Sequence, residues 1–142
     1  MTRIDFYRIS SGDLLQAACL VTGKAYQAGY RVRLYAADED RLAELDRRLW
    51  TFRQNAFVPH ARSDRVDPDH PEPVLLAADC RDPQGAEVLI CASPPPVDCL
   101  GAYARAAEFV PAEPDARNEA RTRYATYREA GFDLHVHDIQ AN

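Results

Sequence analysis

Val74-Leu75-Leu76-Ala77-Ala78 is a short apolar run, and Val88-Leu89-Ile90-Cys91 is a second one of the same kind. A strand covered on one face alternates apolar with polar residues. A strand covered on both faces does not, and such runs suit the middle of a parallel sheet. What flanks them then decides the fold class.

Upstream, Arg3-Ile4-Asp5-Phe6-Tyr7-Arg8-Ile9 mixes β-branched and aromatic residues with polar ones at period two, and Ser10-Ser11-Gly12 reads as a turn and capping signal. Leu14, Leu15, Ala18, Val21, Ala25 and Tyr26 recur at helical spacing before Gly29, which predicts a helix over 13–28. Arg31-Val32-Arg33-Leu34-Tyr35-Ala36 reads as a second strand. Asp38 then caps a helix with Leu42, Leu45 and Leu49 on one side. Residues 60–73 shift to Asp, Pro, Arg and His without periodic apolar positions and read as a loop.

Downstream, Pro94-Pro95-Pro96 breaks the chain, residues 99–105 read as one or two helical turns, and Ala107-Glu108-Phe109-Val110 reads as a strand ending at Pro111. Pro114 suits the first position of a final helix. Glu113 and Asp115 lie near its positive end, and Gly131 stands past its far end. Phe132-Asp133-Leu134-His135-Val136-His137 closes the pattern as an alternating strand. Strands alternating with helices predict a single α/β domain, a three-layer α/β/α sandwich around a mostly parallel central sheet.

The 142 residues suffice for one domain with a real core. The net charge of −5 argues against the broad basic footprint of a nucleic-acid binder. No run approaches the roughly 20 apolar residues that span a bilayer, and Met1-Thr2-Arg3-Ile4-Asp5 lacks the apolar middle of a secretory signal. The expectation is a cytoplasmic chain with no membrane contact. Cys19, Cys80, Cys91 and Cys99 form no C-x-x-C pair, so they are expected to be reduced and buried.

The sheet is Rossmann-like but lacks the nucleotide-binding motif. Its first turn, Ser10-Ser11-Gly12, carries one Gly and matches neither G-x-G-x-x-G nor the P-loop. No nucleophile elbow frames a Ser or Cys. His135 and His137 share one face of a strand, yet a metal needs a third ligand from elsewhere; polar residues facing outward on an edge strand are the simpler reading. No cofactor, metal or catalytic residue is expected. A small α/β nucleotide-binding enzyme with a degenerate site is the alternative from another class.

Two stretches point to docking instead. At about 100° per residue, Arg117, Arg121, Tyr124 and Arg128 fall within roughly 60° of one another, while Ala116, Ala120 and Tyr127 occupy the adjoining, sheet-facing sector. Guanidinium forks bind carboxylates in paired geometry, and Tyr124 with Val110 is placed to line an apolar pocket beside them. The other stretch is Leu49-Trp50-Thr51-Phe52-Arg53-Gln54-Asn55-Ala56-Phe57-Val58-Pro59-His60, where three aromatics in eight positions cannot all face inward. Exposed Trp and Phe anchor partners.

That run resembles the signature of the DNA polymerase III chi subunit family, accessory proteins of the bacterial clamp-loader complex. The likeness covers nearly the whole chain, including Phe6-Tyr7, Arg31-Val32, Leu45-Asp46, Phe109-Val110-Pro111 and the closing Ala120-Arg121-x-Arg123-Tyr124-x-x-Tyr127-Arg128-x-Ala130-Gly131-Phe132. The resemblance implies a non-catalytic linker within a DNA-directed DNA polymerase. It would bind the acidic C-terminal tail of single-stranded DNA-binding protein and tie it to the replicase through the psi subunit, touching DNA only indirectly. It also implies that the tail site falls on Val110, Arg117, Arg121 and Tyr124, with Arg128 beside them. The psi-facing surface falls on Trp50 and Phe57, with Val58, Pro59 and His60; Phe52 has no assignment.

Two departures stand out. Ala125 replaces a basic residue that follows the tail-site Tyr elsewhere in the family, and Ala61-Arg62-Ser63-Asp64 replaces a glycine-containing segment. Where psi is absent, the resemblance implies another occupant of the aromatic surface, such as an iron-sulphur helicase. Direct binding of single-stranded DNA by the same arginines and Tyr124 is a further reading, weakened by the net charge.

Overall fold

The computed structural model describes residues 1–52, 57–67, 69 and 72–142. The strands are β1 (Arg3–Gly12), β2 (Val32–Tyr35), β3 (His60–Arg62), β4 (Val74–Ala77), β5 (Val88–Cys91), β6 (Arg105–Val110) and β7 (Asp133–Ala141). The helices are α1 (Leu14–Gln27), α2 (Glu39–Thr51), α3 (Val97–Leu100) and α4 (Pro114–Glu129). The strands form one sheet in the order β3-β4-β2-β5-β6-β1-β7. Every pairing in it is parallel.

The apolar runs sit where two-sided burial requires. Every residue of β2, β4 and β5 is buried, and β2 lies between the other two. One core lies under α1 and α2, joining Ala18, Leu42, Leu45 and Leu49 to Leu34, Leu76 and Ile90. The second lies under α3 and α4, joining Tyr127 and Leu100 to Ile4, Phe6 and Leu89. This is the expected three-layer sandwich. Cys19, Cys80, Cys91 and Cys99 are buried free thiols, and burial pushes Cys19 and Cys80 up to about 12.

Three expectations need correction. Ser10-Ser11-Gly12 is not a turn: β1 runs on to Gly12, with Ser11 opposite Gln140 and Gly12 opposite Ala141 after a register shift. The Ser10 hydroxyl donates to the Ile139 carbonyl at 3.1 Å. Pairing with a strand from the far end of the chain overrides local turn preference. The α1 cap is Asp13, whose carboxylate accepts from the Gln16 amide at 2.8 Å. Second, His60 opens a strand rather than a loop. β3 pairs His60 with Val74 and Arg62 with Leu76, and three residues are too few to display a period. Third, the helical turn before β6 is Val97–Leu100, and Arg105 already belongs to the strand.

Candidate functional site

Glu113 starts α4 as expected: its carboxylate accepts from the amides of Asp115 at 3.0 Å and Ala116 at 2.8 Å. Those bonds hold the carboxyl below its usual range. The helix buries Ala120 and Tyr127 against the sheet, leaves Ala116 half-buried, and turns Arg117, Arg121 and Arg128 outward. Among the described residues none of these three arginines has an ion pair.

Beside them is a hollow of about 270 Å³. Val110, Arg117, Arg121 and Tyr124 line it together, so the structure joins four residues from two elements that the sequence singled out. Arg128 lies one turn beyond and does not line it. Tyr124 is half-buried and meets Phe6 edge-on at 5.3 Å, which fixes the apolar wall. The sequence reading missed Arg8 and Val136, and it did not place Phe6 in the site. Phe6 and Arg8 are two apart on β1, and Val136 lies opposite Phe6 on β7. Period-two alternation put Phe6 and Arg8 on one face of a strand, but nothing local said that α4 would lie over it.

Behind the hollow, Arg123 points the other way. Its Nε donates to Glu108 Oε1 at 2.7 Å, and the Glu108 side chain is only 2% exposed. Burial pushes that carboxyl above its ordinary range against the pull of the Arg123 charge. Arg123 therefore fastens α4 to β6 and leaves the outward arginines unneutralised.

The second surface is at the opposite sheet edge. Trp50, near the end of α2, is 57% exposed and Phe57 is 60% exposed. Their rings lie 5.3 Å apart. The His60 ring is 4.8 Å from Trp50, and its Nδ1 lies 2.7 Å from the Val58 carbonyl. Its Nε2 lies 3.1 Å from Asp46 Oδ1 without hydrogen-bond alignment. Pro59 is half-buried and Val58 is buried, so Val58 supports the patch from beneath. Phe52, unassigned from sequence, packs into the core near Gly23. Residues 53–56 of the run lie outside the described residues.

The histidines of β7 do not converge. His135 Nε2 lies 3.1 Å from Asp133 Oδ1, and His137 Nε2 lies 2.8 Å from Asp5 Oδ1. Burial opposes the Asp5 charge, but its bonds to His137, Arg105 and Arg3 outweigh that and hold the carboxyl low. Among the described residues no group of three or more His, Cys, Asp or Glu is arranged to hold a metal. No helix among them is long and apolar enough to cross a membrane.

Comparison with known proteins gives the fold and the family. Among solved structures, T4 UvsW shares the fold alone, with a TM-score of 0.69 at 7% identity over 99% of this chain and 42% of the UvsW chain. The sequence is 39% identical over 142 residues to DNA polymerase III subunit chi of Pseudomonas aeruginosa, covering 98% of each chain. It is 31% identical over 122 residues to the Escherichia coli subunit, covering 85% of this chain and 82% of that one. The model of the family described as DNA polymerase III chi subunit, HolC, matches residues 1–135, from β1 through α4 and into β7. A match that takes in the arginine-lined hollow, the aromatic surface and the sheet between them places the chain in the DNA polymerase III chi subunit family.

Proposed function

We propose that this chain is a non-catalytic adaptor of the replicase. The hollow between α4, β6, β1 and β7 takes the acidic C-terminal tail of single-stranded DNA-binding protein, and the Trp50–Phe57 surface takes psi. The observation that carries the reading is an apolar hollow flanked on its helix side by Arg117 and Arg121, neither engaged in an ion pair among the described residues. Such a site suits a peptide that ends in an apolar side chain and carries carboxylates around it. Lone exposed arginines on a solvated helix would lack the apolar floor.

Titration of a labelled tail peptide tests it. Arg121→Ala is expected to weaken binding about tenfold, the scale of a charge-assisted hydrogen bond, and affinity should fall as salt rises. Unchanged affinity in Arg121→Ala would remove the assignment. At the other edge, Trp50→Ala is expected to cut affinity for purified psi about thirtyfold, as loss of a buried interface Trp does, while leaving the tail peptide unaffected. A Trp50→Ala chain that bound psi as tightly as the parent would give the aromatic surface to another partner, an iron-sulphur helicase being the first to try.

A further inference from the structure

The hollow has a third guanidinium, and it is engaged. Arg8 stands directly opposite Asp138 in the parallel register of β1 and β7. Its Nε donates to Asp138 Oδ1 at 2.9 Å and its Nη2 to Oδ2 at 3.2 Å. That is the two-pronged geometry in which a guanidinium grips a carboxylate. Arg8 also lines the hollow, from the sheet side, facing Arg117 and Arg121 across the apolar floor.

We infer that Arg8 is a further determinant of acidic-peptide binding and that Asp138 is the chain's own stand-in for one of the peptide's carboxylates. The inference rests on the tail-binding reading of the same hollow. Both partners are largely in water, with side chains 61% and 67% exposed, and an exposed pair of this kind contributes little on its own. A carboxylate docked over Phe6 and Val136 therefore exchanges with Asp138 at small cost, while its peptide also engages Arg117 and Arg121. Cations on both sides of an apolar floor fit a peptide with carboxylates on either side of an apolar side chain. A ligand with a single anionic group satisfies one side only and leaves Asp138 in place. Asp138 thus sets a threshold: a ligand gains the Arg8 contact only by bringing a second carboxylate that displaces it.

The test is a thermodynamic cycle with a labelled peptide of consecutive aspartates ending in a C-terminal Phe, titrated at low salt. Arg8→Ala is expected to weaken binding about fivefold. Asp138→Asn is expected to tighten it about threefold by releasing Arg8. The double variant should match Arg8→Ala, because Asp138 acts through Arg8. Equal tightening by Asp138→Asn with and without Arg8 overturns the stand-in role, leaving only a general charge effect, and unchanged affinity in Arg8→Ala overturns the inference outright. Arg121→Ala separates the two levels. If it alone weakens binding, the hollow holds and Arg8 is no part of it; if it does not weaken binding, the tail-site reading itself fails.

Discussion

Arg123→Ala is expected to lower the unfolding free energy at pH 7 by about 3–5 kcal/mol, the usual cost of removing one partner from a buried ion pair. Most of that cost is the carboxylate left behind. Glu108 is buried on β6, Arg123 satisfies its Oε1, and among the described residues only the Tyr127 hydroxyl stands by the carboxyl besides, with no aligned hydrogen bond to Oε2. The pH dependence identifies the cause. Burial already holds the Glu108 carboxyl above its ordinary value of 4.5, and without the guanidinium it rises further. A group whose folded-state pKa is raised favours the native state below its unfolded pKa and loses that contribution as pH rises through the folded one. The deficit of Arg123→Ala relative to the parent should therefore be largest at neutral pH and shrink as pH falls toward 4.5. Urea denaturation of both proteins at several pH values measures it. Glu108→Gln added to Arg123→Ala should recover most of the loss, because a neutral amide is left where a charge was. A deficit independent of pH, with no recovery in the double variant, would mean that Arg123 acts through packing of its stem alone.

Gly12→Ala is expected to cost about 3 kcal/mol, combining a left-handed backbone with a collision. Gly12 has a φ of +83°, and a Cβ there would lie 2.0 Å from the Ala141 carbonyl oxygen and 2.3 Å from its carbon. The obstacle is backbone, so no rotamer change relieves it. The chain must unpair the end of β7, exposing the buried Ala141. Hydrogen exchange should show protection lost at the end of β7 and retained in β2, β4 and β5. A Gly12→Ala protein within about 0.5 kcal/mol of the parent would show that this strand end contributes nothing to stability. Because Asp138 lies on the same strand, the variant should also loosen the Arg8 pair.

The two-sided apolar runs of β4 and β5 made the parallel sheet legible, since no other common arrangement buries both faces of so short a strand. The final helix was legible for a similar reason: one period of rotation collects Arg117, Arg121 and Tyr124 onto a single face. What stayed hidden came from pairing across long separations. Ser10, Ser11 and Gly12 look like a turn until β7 arrives 129 residues later to hold them extended. β3 owes its existence to the edge of β4 and carries no pattern of its own. Arg8 and Val136 enter the site because two strand faces meet under α4, which neither strand announces. Trp50 and Phe52 show what periodicity settles and what it does not. Two positions apart on a helical turn, they point roughly 200° away from each other. Phe52 falls about 50° from the mean direction of Leu42, Leu45 and Leu49 and Trp50 about 110° from it, so the period turns Phe52 inward and Trp50 outward, and what it leaves open is that Phe52 meets α1 at Gly23.

The sheet order has a further consequence. The aromatic surface sits beside β3 and α2 at one margin, and the arginine hollow sits between β7 and α4 at the other, on the opposite face. Six inter-strand steps of about 4.8 Å separate those margins, roughly 29 Å in all. On the proposed reading, that separation is what would let one guest at each margin be held at the same time, with the sheet fixing the distance between them.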